Sequence, residues 1–231
     1  METVPPNLFR RVREKRRPRR AGARRRPGNP LPLTPDRLAD LIAAIDAVNA
    51  RDPRRTADGR PVELAHAERL TFWVLQLAPQ ASAALRVAAR GQHIERWTSP
   101  RDSQPLDRAG YLRWRENLKR FHAERVAGLL RDRGINEEET RRVVDLITKA
   151  AHRAGDPEGV ALEDALCLVF FETPIDTLRA KLPGDKMENA LRKTWGKMSA
   201  AGRARALTVP VAAELRHWLE TFQREEVHGR D

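Results

Sequence analysis

The sequence predicts an all-α protein, a single compact domain of about eight helices, and three observations carry that expectation. Apolar residues recur at the three- and four-residue spacing of a helical face through most of the chain. The stretches between those runs carry helix-starting and helix-stopping residues. No alternation of apolar and polar residues lasts long enough to build a strand.

The first helix is announced by Thr34 as N-cap, Pro35 at the first helical position and Asp36 behind it, with Leu38, Leu41, Ile42 and Ile45 on one face. It is expected to end near Ala50. After a loop at Asp52, Pro53 and the Asp58-Gly59 turn, helices are expected over 62–77 and 80–97, with Pro79 as the break between them. A second loop holds Pro100, Asp102, Ser103 and Pro105. The longest helix covers about 107–132 and stops at Gly134, a residue suited to a left-handed C-cap. Asn136 then caps a helix running to about Arg153, whose first turn, Glu137 to Glu139, suits the positive end of the helix dipole.

After Gly155, Asp156 and Pro157, nearly every residue from Val160 to Phe171 is apolar, as a helix buried on all sides requires. A short connection through Pro174, Pro183 and Gly184 leads to a helix capped by Asp185, with Met187, Leu191, Trp195 and Met198 in register. Pro210 opens the last helix, which carries Leu215, Trp218, Leu219 and Phe222.

Several of these faces carry polar residues where apolar ones belong. Glu63 and His66 share a stripe with Leu70, Trp73, Val74 and Leu77; Arg115 and His122 share one with Tyr111, Leu118, Val126 and Leu129. Gln92 and Arg96 follow Ala81, Leu85, Ala88 and Ala89, with His93 on the flank, and Asp164 lies inside the apolar central helix. A lone histidine on such a face is most often bonded to a backbone carbonyl. Four helices with the same anomaly point instead to a shared inward-facing polar or metal site, because buried polar groups are costly unless partnered.

At 231 residues the chain can bury a full core. The single cysteine, Cys167, sits in the apolar central helix and reads as a core residue in a reducing compartment. No apolar run approaches the roughly 20 residues of a membrane span, and the N-terminus is too charged and proline-rich for a signal peptide, so a cytoplasmic location is expected. Of the net charge of +12, residues 1–35 carry +9, from eleven basic and two acidic residues, which leaves 33 basic against 30 acidic beyond them. Residues 1–35 are therefore expected to form a disordered tail and residues 36–231 the helical domain. Such a tail would hold nucleic acid weakly and in a salt-sensitive way. The excess of arginine over lysine, 37 to 7, suggests a coding bias, under which the tail is a dispensable solvated extension.

From Leu41 onward the blocks AAIDAVNARDP, GRPVELAHAERL, ARGQHIERWTSPR, LDRAGYLRWRENLKRFHAE, LEDALCLVFFE and LRKTWGKMS resemble the bacterial and fungal family called domain of unknown function 4202, over about residues 38–208. Members of that family are often named as relatives of glutamyl-tRNA synthetase. This chain shows no strands for the parallel sheet such an enzyme needs. Its Lys197-Met198-Ser199, similar to part of the synthetase KMSKS loop, places Met198 in an apolar stripe, so an aminoacyl-tRNA synthetase is not expected.

The order His66, His93, His122 and Asp164 also resembles the HD-domain superfamily of metal-dependent phosphohydrolases. That resemblance implies an HD-like fold in which these four residues hold a divalent metal (Mn, Fe, Ni or Zn) that activates water against a phosphate ester or nucleotide. Glu63 and Glu95 become the candidate catalytic carboxylates. Gln92, Arg96, Trp114 and Arg115 become the ligand contacts, since guanidinium groups grip phosphate and aromatic rings stack a base. The signature His-Asp doublet reads His93-Ile94 here. That departure sustains the alternative of a non-catalytic helical domain that binds an anionic ligand, nucleic acid or a protein partner. Neither a triad nor a glycine-rich phosphate loop is recognisable, and His152, His217 and His228 are expected on polar faces or near the C-terminus.

Overall fold

The structure, a computed structural model, describes residues 31–182 and 185–228, apart from the side chains of Lys181 and Asp185. The expected tail up to residue 30, the connection at Pro183 and Gly184, and the capping side chain of Asp185 lie outside it. Eleven α-helices are described: α1 (Pro35–Asn49), α2 (Val62–Leu77), α3 (Ala83–Gly91), α4 (Arg108–Asp132), α5 (Glu137–Ile147), α6 (Ala150–Arg153), α7 (Pro157–Phe171), α8 (Ile175–Lys181), α9 (Asp185–Trp195), α10 (Ala200–Ala206) and α11 (Ala213–His228). No strand ladder occurs among the described residues, only the isolated bridges Leu31 to Ile135 and Arg55 to Pro61.

The rise from about eight helices to eleven comes from breaks that the apolar periodicity passes over. The segment expected over 80–97 is helical only to Gly91 and then turns, with Glu95 in the left-handed region at φ 53° and a short 3-10 turn from Arg96 to Thr98. The helix expected to reach Arg153 breaks at Lys149, also left-handed at φ 65°, which divides α5 from α6. Neither residue is a glycine, so nothing in the sequence announces either break. The connection after Phe171 holds α8, and Ser199 starts α10 in a stretch to which the periodicity assigned no helix. Thr34 stands at the N-cap of α1 but makes no side-chain cap, whereas Asn136 caps α5 by accepting from Glu139 N at 2.8 Å. Residues just ahead of α1 also make contacts with the helices. Leu31 N donates to the Gly134 carbonyl at 3.0 Å, Asn136 N donates back to the Leu31 carbonyl at 2.9 Å, and Leu33 is buried.

The central helix expected from the apolar run is α7. It packs against α2, α3, α5, α6, α9 and α10, and no residue from Glu158 to Phe171 is exposed. Asp156 caps it, accepting from the backbone N of Glu158 and Gly159, and pairs with Arg142 of α5. Across the core, α3 and α1 are tied by Arg90, whose guanidinium makes two bonds to Asp46 at 2.5 and 2.8 Å.

The end of α3 meets α4 at Gly91, where a Cβ would lie 2.4 Å from Cγ2 of the buried Val126. Only glycine lets the two helices approach this closely, and the approach carries the following turn toward the middle of α4. Gly91→Ala is expected to cost about 1–3 kcal/mol through overpacking, read as a lower melting temperature. Adding Val126→Ala should recover part of that loss, and a double variant no better than the single one would refute the contact.

Candidate functional site

The left-handed turn after α3 delivers Gln92, His93 and Arg96 to one wall of a cavity of about 490 Å³. This is in the range that holds small molecules. From α4 come Tyr111, Trp114, Arg115, Leu118, Lys119 and His122; Lys149 enters at the second left-handed break; α7 adds Glu163, Leu166, Cys167 and Phe170. Leu182, Ala190, Lys193, Thr194 and Lys197 close the far side. The two non-glycine residues with positive φ among the described residues, Glu95 and Lys149, thus lie in the turn that forms one wall and in the wall itself. Such strained conformations persist where surrounding structure holds them and cluster at functional sites.

Beneath the cavity the sequence-predicted residues of α2 converge on the turn. Glu63 is buried; its Oε1 accepts from Arg54 at 2.5 Å, and its Oε2 lies 3.6 Å from His93 Nδ1. Asp52, also buried, accepts from Arg54 and from Glu63 N, so two carboxylates share one guanidinium. Burial opposes ionisation of Asp52, but the bonds from Arg54 hold its carboxyl below the usual range. His66 stacks on His93 with ring centres 4.2 Å apart and planes 7° from parallel, and the His122 ring lies 5.9 Å from His93. His122 is buried, and its Nδ1–H donates to the Ile94 carbonyl at 2.8 Å. That bond leaves Nε2 as the unprotonated nitrogen, and no protein group donates to it.

Dehydration fixes the charge of this trio. Burial pushes His66 down to about 3 and His122 to about 4, and holds His93 well below the ordinary histidine range, with Arg96 acting in the same direction on all three. All three rings are therefore neutral at neutral pH. Arg96 is half-buried over the Trp114 ring at 5.1 Å, and its own proton affinity is lowered, chiefly by burial. Trp114 is fixed in turn by its indole N–H, which donates to the Ser99 carbonyl at 3.1 Å. Arg115, expected on a buried face, is exposed at the cavity mouth beside Tyr111.

Two expected participants lie elsewhere. Asp164 does not line the cavity. It accepts from Ser199 N at 2.9 Å and from the Ser199 hydroxyl, and lies so close to α10 that a Cβ on Gly202 would be 2.4 Å from its Cγ. Glu95 is turned away by its own left-handed backbone and pairs with Arg125. The structure therefore brings His66, His93 and His122 together and leaves Asp164 at the start of α10. The rings of His66 and His93 lie nearly parallel, so their in-plane lone pairs do not meet at one point. Among the described residues, no group of three or more metal-ligating side chains shares a point.

The sequence reading missed the lysines. Lys149 bonds Glu163, which burial would raise but Lys149 holds below the ordinary range; Lys193 and Lys197 border the cavity from α9 and the turn beyond it. Lysines on a helix such as α9 read as solvent-facing, and Lys149 was hidden inside a helix expected to be continuous. Cys167 is the core thiol the sequence suggested, pushed up to about 12 by burial and so uncharged. Met198 is buried in the core, as its stripe required. His217 and His228 are exposed, whereas His152 is half-buried with its Nδ1 unpartnered.

Fold and cavity together define an all-helical protein with a basic, partly aromatic cleft. The chain belongs to the family described as Domain of unknown function (DUF4202), whose model matches residues 39–218. Neither the curated proteins nor the solved structures yield a significant match to it.

The histidine trio makes stability depend on acid in a defined direction. Between the unfolded value of about 6.5 and the lowered folded values, the unfolded chain binds more protons than the folded one, so stability rises with pH. The contribution is complete above about pH 6.5 and is lost progressively as pH falls toward 4. The melting temperature should drop over that window, and His66→Gln should flatten the drop. An unchanged slope in that variant would show that His66 titrates in the fold as it does in the unfolded chain.

Proposed function

We propose that this protein binds a phosphate-bearing small molecule in the cavity between α4, α7 and α9. One observation carries the reading: six basic side chains, Arg96, Arg115, Lys119, Lys149, Lys193 and Lys197, line the cavity against the single carboxylate of Glu163. Glu163 is satisfied by Lys149 and Lys119 pairs with Glu116, while no carboxylate among the described residues pairs with Arg96, Arg115, Lys193 or Lys197. Cations gathered around a partly dehydrated cleft repel one another until an anion arrives, and guanidinium groups match phosphate oxygens in pairs. Arg96 on Trp114 is the anchor, since a planar cation held against an indole loses little freedom on binding.

In this reading the protein is a receptor, and the neutral imidazoles offer hydrogen bonds rather than metal bonds. The charge of residues 1–30 supports a separate, weak and salt-sensitive affinity for nucleic acid that does not involve the cavity.

Calorimetric titration of the full chain with inorganic phosphate and AMP should give saturable one-site binding, weakened about tenfold or more by Arg96→Gln, since that removes a charge-assisted pair. No binding of either would overturn the proposal. Release of phosphate from p-nitrophenyl phosphate with Mn2+ added, abolished by His93→Ala, would replace the receptor with a metal-dependent phosphohydrolase. A chain cut before Leu31 should melt unchanged, because the hydrogen bonds of Leu31 to Gly134 and Asn136 are kept, and should lose retention on a polyanion column.

A further inference from the structure

Two residues of the cavity wall each carry a buried hydrogen-bond acceptor with no protein donor. His122 exposes 2% of its surface and Gln92 4%, and among the described residues these are the cavity-lining side chains with a buried nitrogen or oxygen left unpartnered. Their orientations are fixed from behind. The Gln92 amide nitrogen faces the Ile147 carbonyl at 3.4 Å, and a carbonyl can only accept, so Oε1 is the free atom. By the same logic the Ile94 carbonyl takes the Nδ1 proton of His122 and leaves Nε2 as a bare lone pair. Both free atoms are acceptors, whereas every cation on the wall is a donor.

Resting on the reading of the cavity as a phosphate receptor, we infer that its ligand is a phosphorylated polyol, whose phosphate meets Arg96 and whose hydroxyl groups donate to His122 Nε2 and Gln92 Oε1. A bare anion satisfies the cations and leaves both acceptors orphaned. An acyl or alkyl phosphate does the same, and burying an acceptor against a methylene group costs a hydrogen bond. A hydroxyl-bearing phosphate satisfies both sets. Arg96 follows Gln92 by four residues across the left-handed turn at Glu95, and both line one cavity of about 490 Å³ with His122, so one small molecule can reach all three. The neutral state of His122 is what makes it an acceptor, because an imidazolium would present a second donor and reject the hydroxyl.

The test compares two probes of equal charge and carbon count, glycerol 3-phosphate with two hydroxyls and propyl phosphate with none, titrated into the full chain at pH 7.5. Glycerol 3-phosphate is expected to bind about tenfold tighter, the usual scale for hydrogen bonds that satisfy buried groups. His122→Asn, whose amide can still donate to the Ile94 carbonyl, should narrow that preference by weakening glycerol 3-phosphate more than propyl phosphate. Gln92→Met supplies a second variant should His122→Asn melt early, and it should narrow the preference in the same way. Equal binding of the two probes by the native chain would mean that water alone serves the two acceptors, which overturns the inference while leaving the phosphate receptor standing. Binding of neither probe would remove both. A variant that weakens both probes equally would make His122 a structural residue and overturn the assignment.

Discussion

The arrangement depends on one constraint: α7 is enclosed by six helices, yet it carries two consecutive carboxylates that need partners inside the protein. Successive residues on a helix point about 100° apart, and here Glu163 and Asp164 take different partners. Glu163 turns to Lys149, the residue at which α5 stops and α6 begins. Asp164 turns to Ser199, the residue that starts α10. Each carboxylate thus fixes a break in the surrounding helices, and these breaks shape the layers around the core. Were α7 wholly apolar, neither the left-handed residue before α6 nor the start of α10 would have a buried group to hold it. Replacing one partner would leave a buried carboxylate uncompensated, the more costly of the two failures.

Much of this was legible in sequence, for a physical reason. In α2 and α4 the apolar and polar faces differ enough that Glu63, His66 and His122 could be placed inward, and they are inward. Asp164 could not be placed, because a helix apolar all round has no preferred face from which to judge direction. The distinction between Glu163 and Asp164 lies in what surrounds them, not in their own spacing. The breaks at Glu95 and Lys149 were invisible for a related reason: the left-handed region is usually announced by glycine, and here tertiary contacts impose it on a glutamate and a lysine. Where glycine does stand at a helix end, at Gly134, the expectation and the structure agree.

The site combines two electrostatic regimes within a few ångströms. Around Arg54, charges are paired: Asp52 and Glu63 hold one guanidinium, and that pairing keeps Glu63 beside His93 without charging the ring. Across the histidines, six cations stand in the cavity wall against the one carboxylate of Glu163. The neutral imidazole layer adds no charge between the two, and Glu63 below it favours the charged form of Arg96 above. A protonated layer would bridge to Glu63 and add to the repulsion among the cations.

The left-handed residues also determine where folding free energy is surrendered. A non-glycine residue in that region costs of order 1–3 kcal/mol, and both such residues here belong to segments that shape the same cavity. Segments carrying that burden open before the rest of a domain, so amide protons around Glu95 and Lys149 would exchange faster than those of α7. The protein is thus a rigid central helix bordered by two segments near their conformational limit. An occupant that contacted both would return part of the deficit and act as the staple that the chain, with one thiol, does not make for itself.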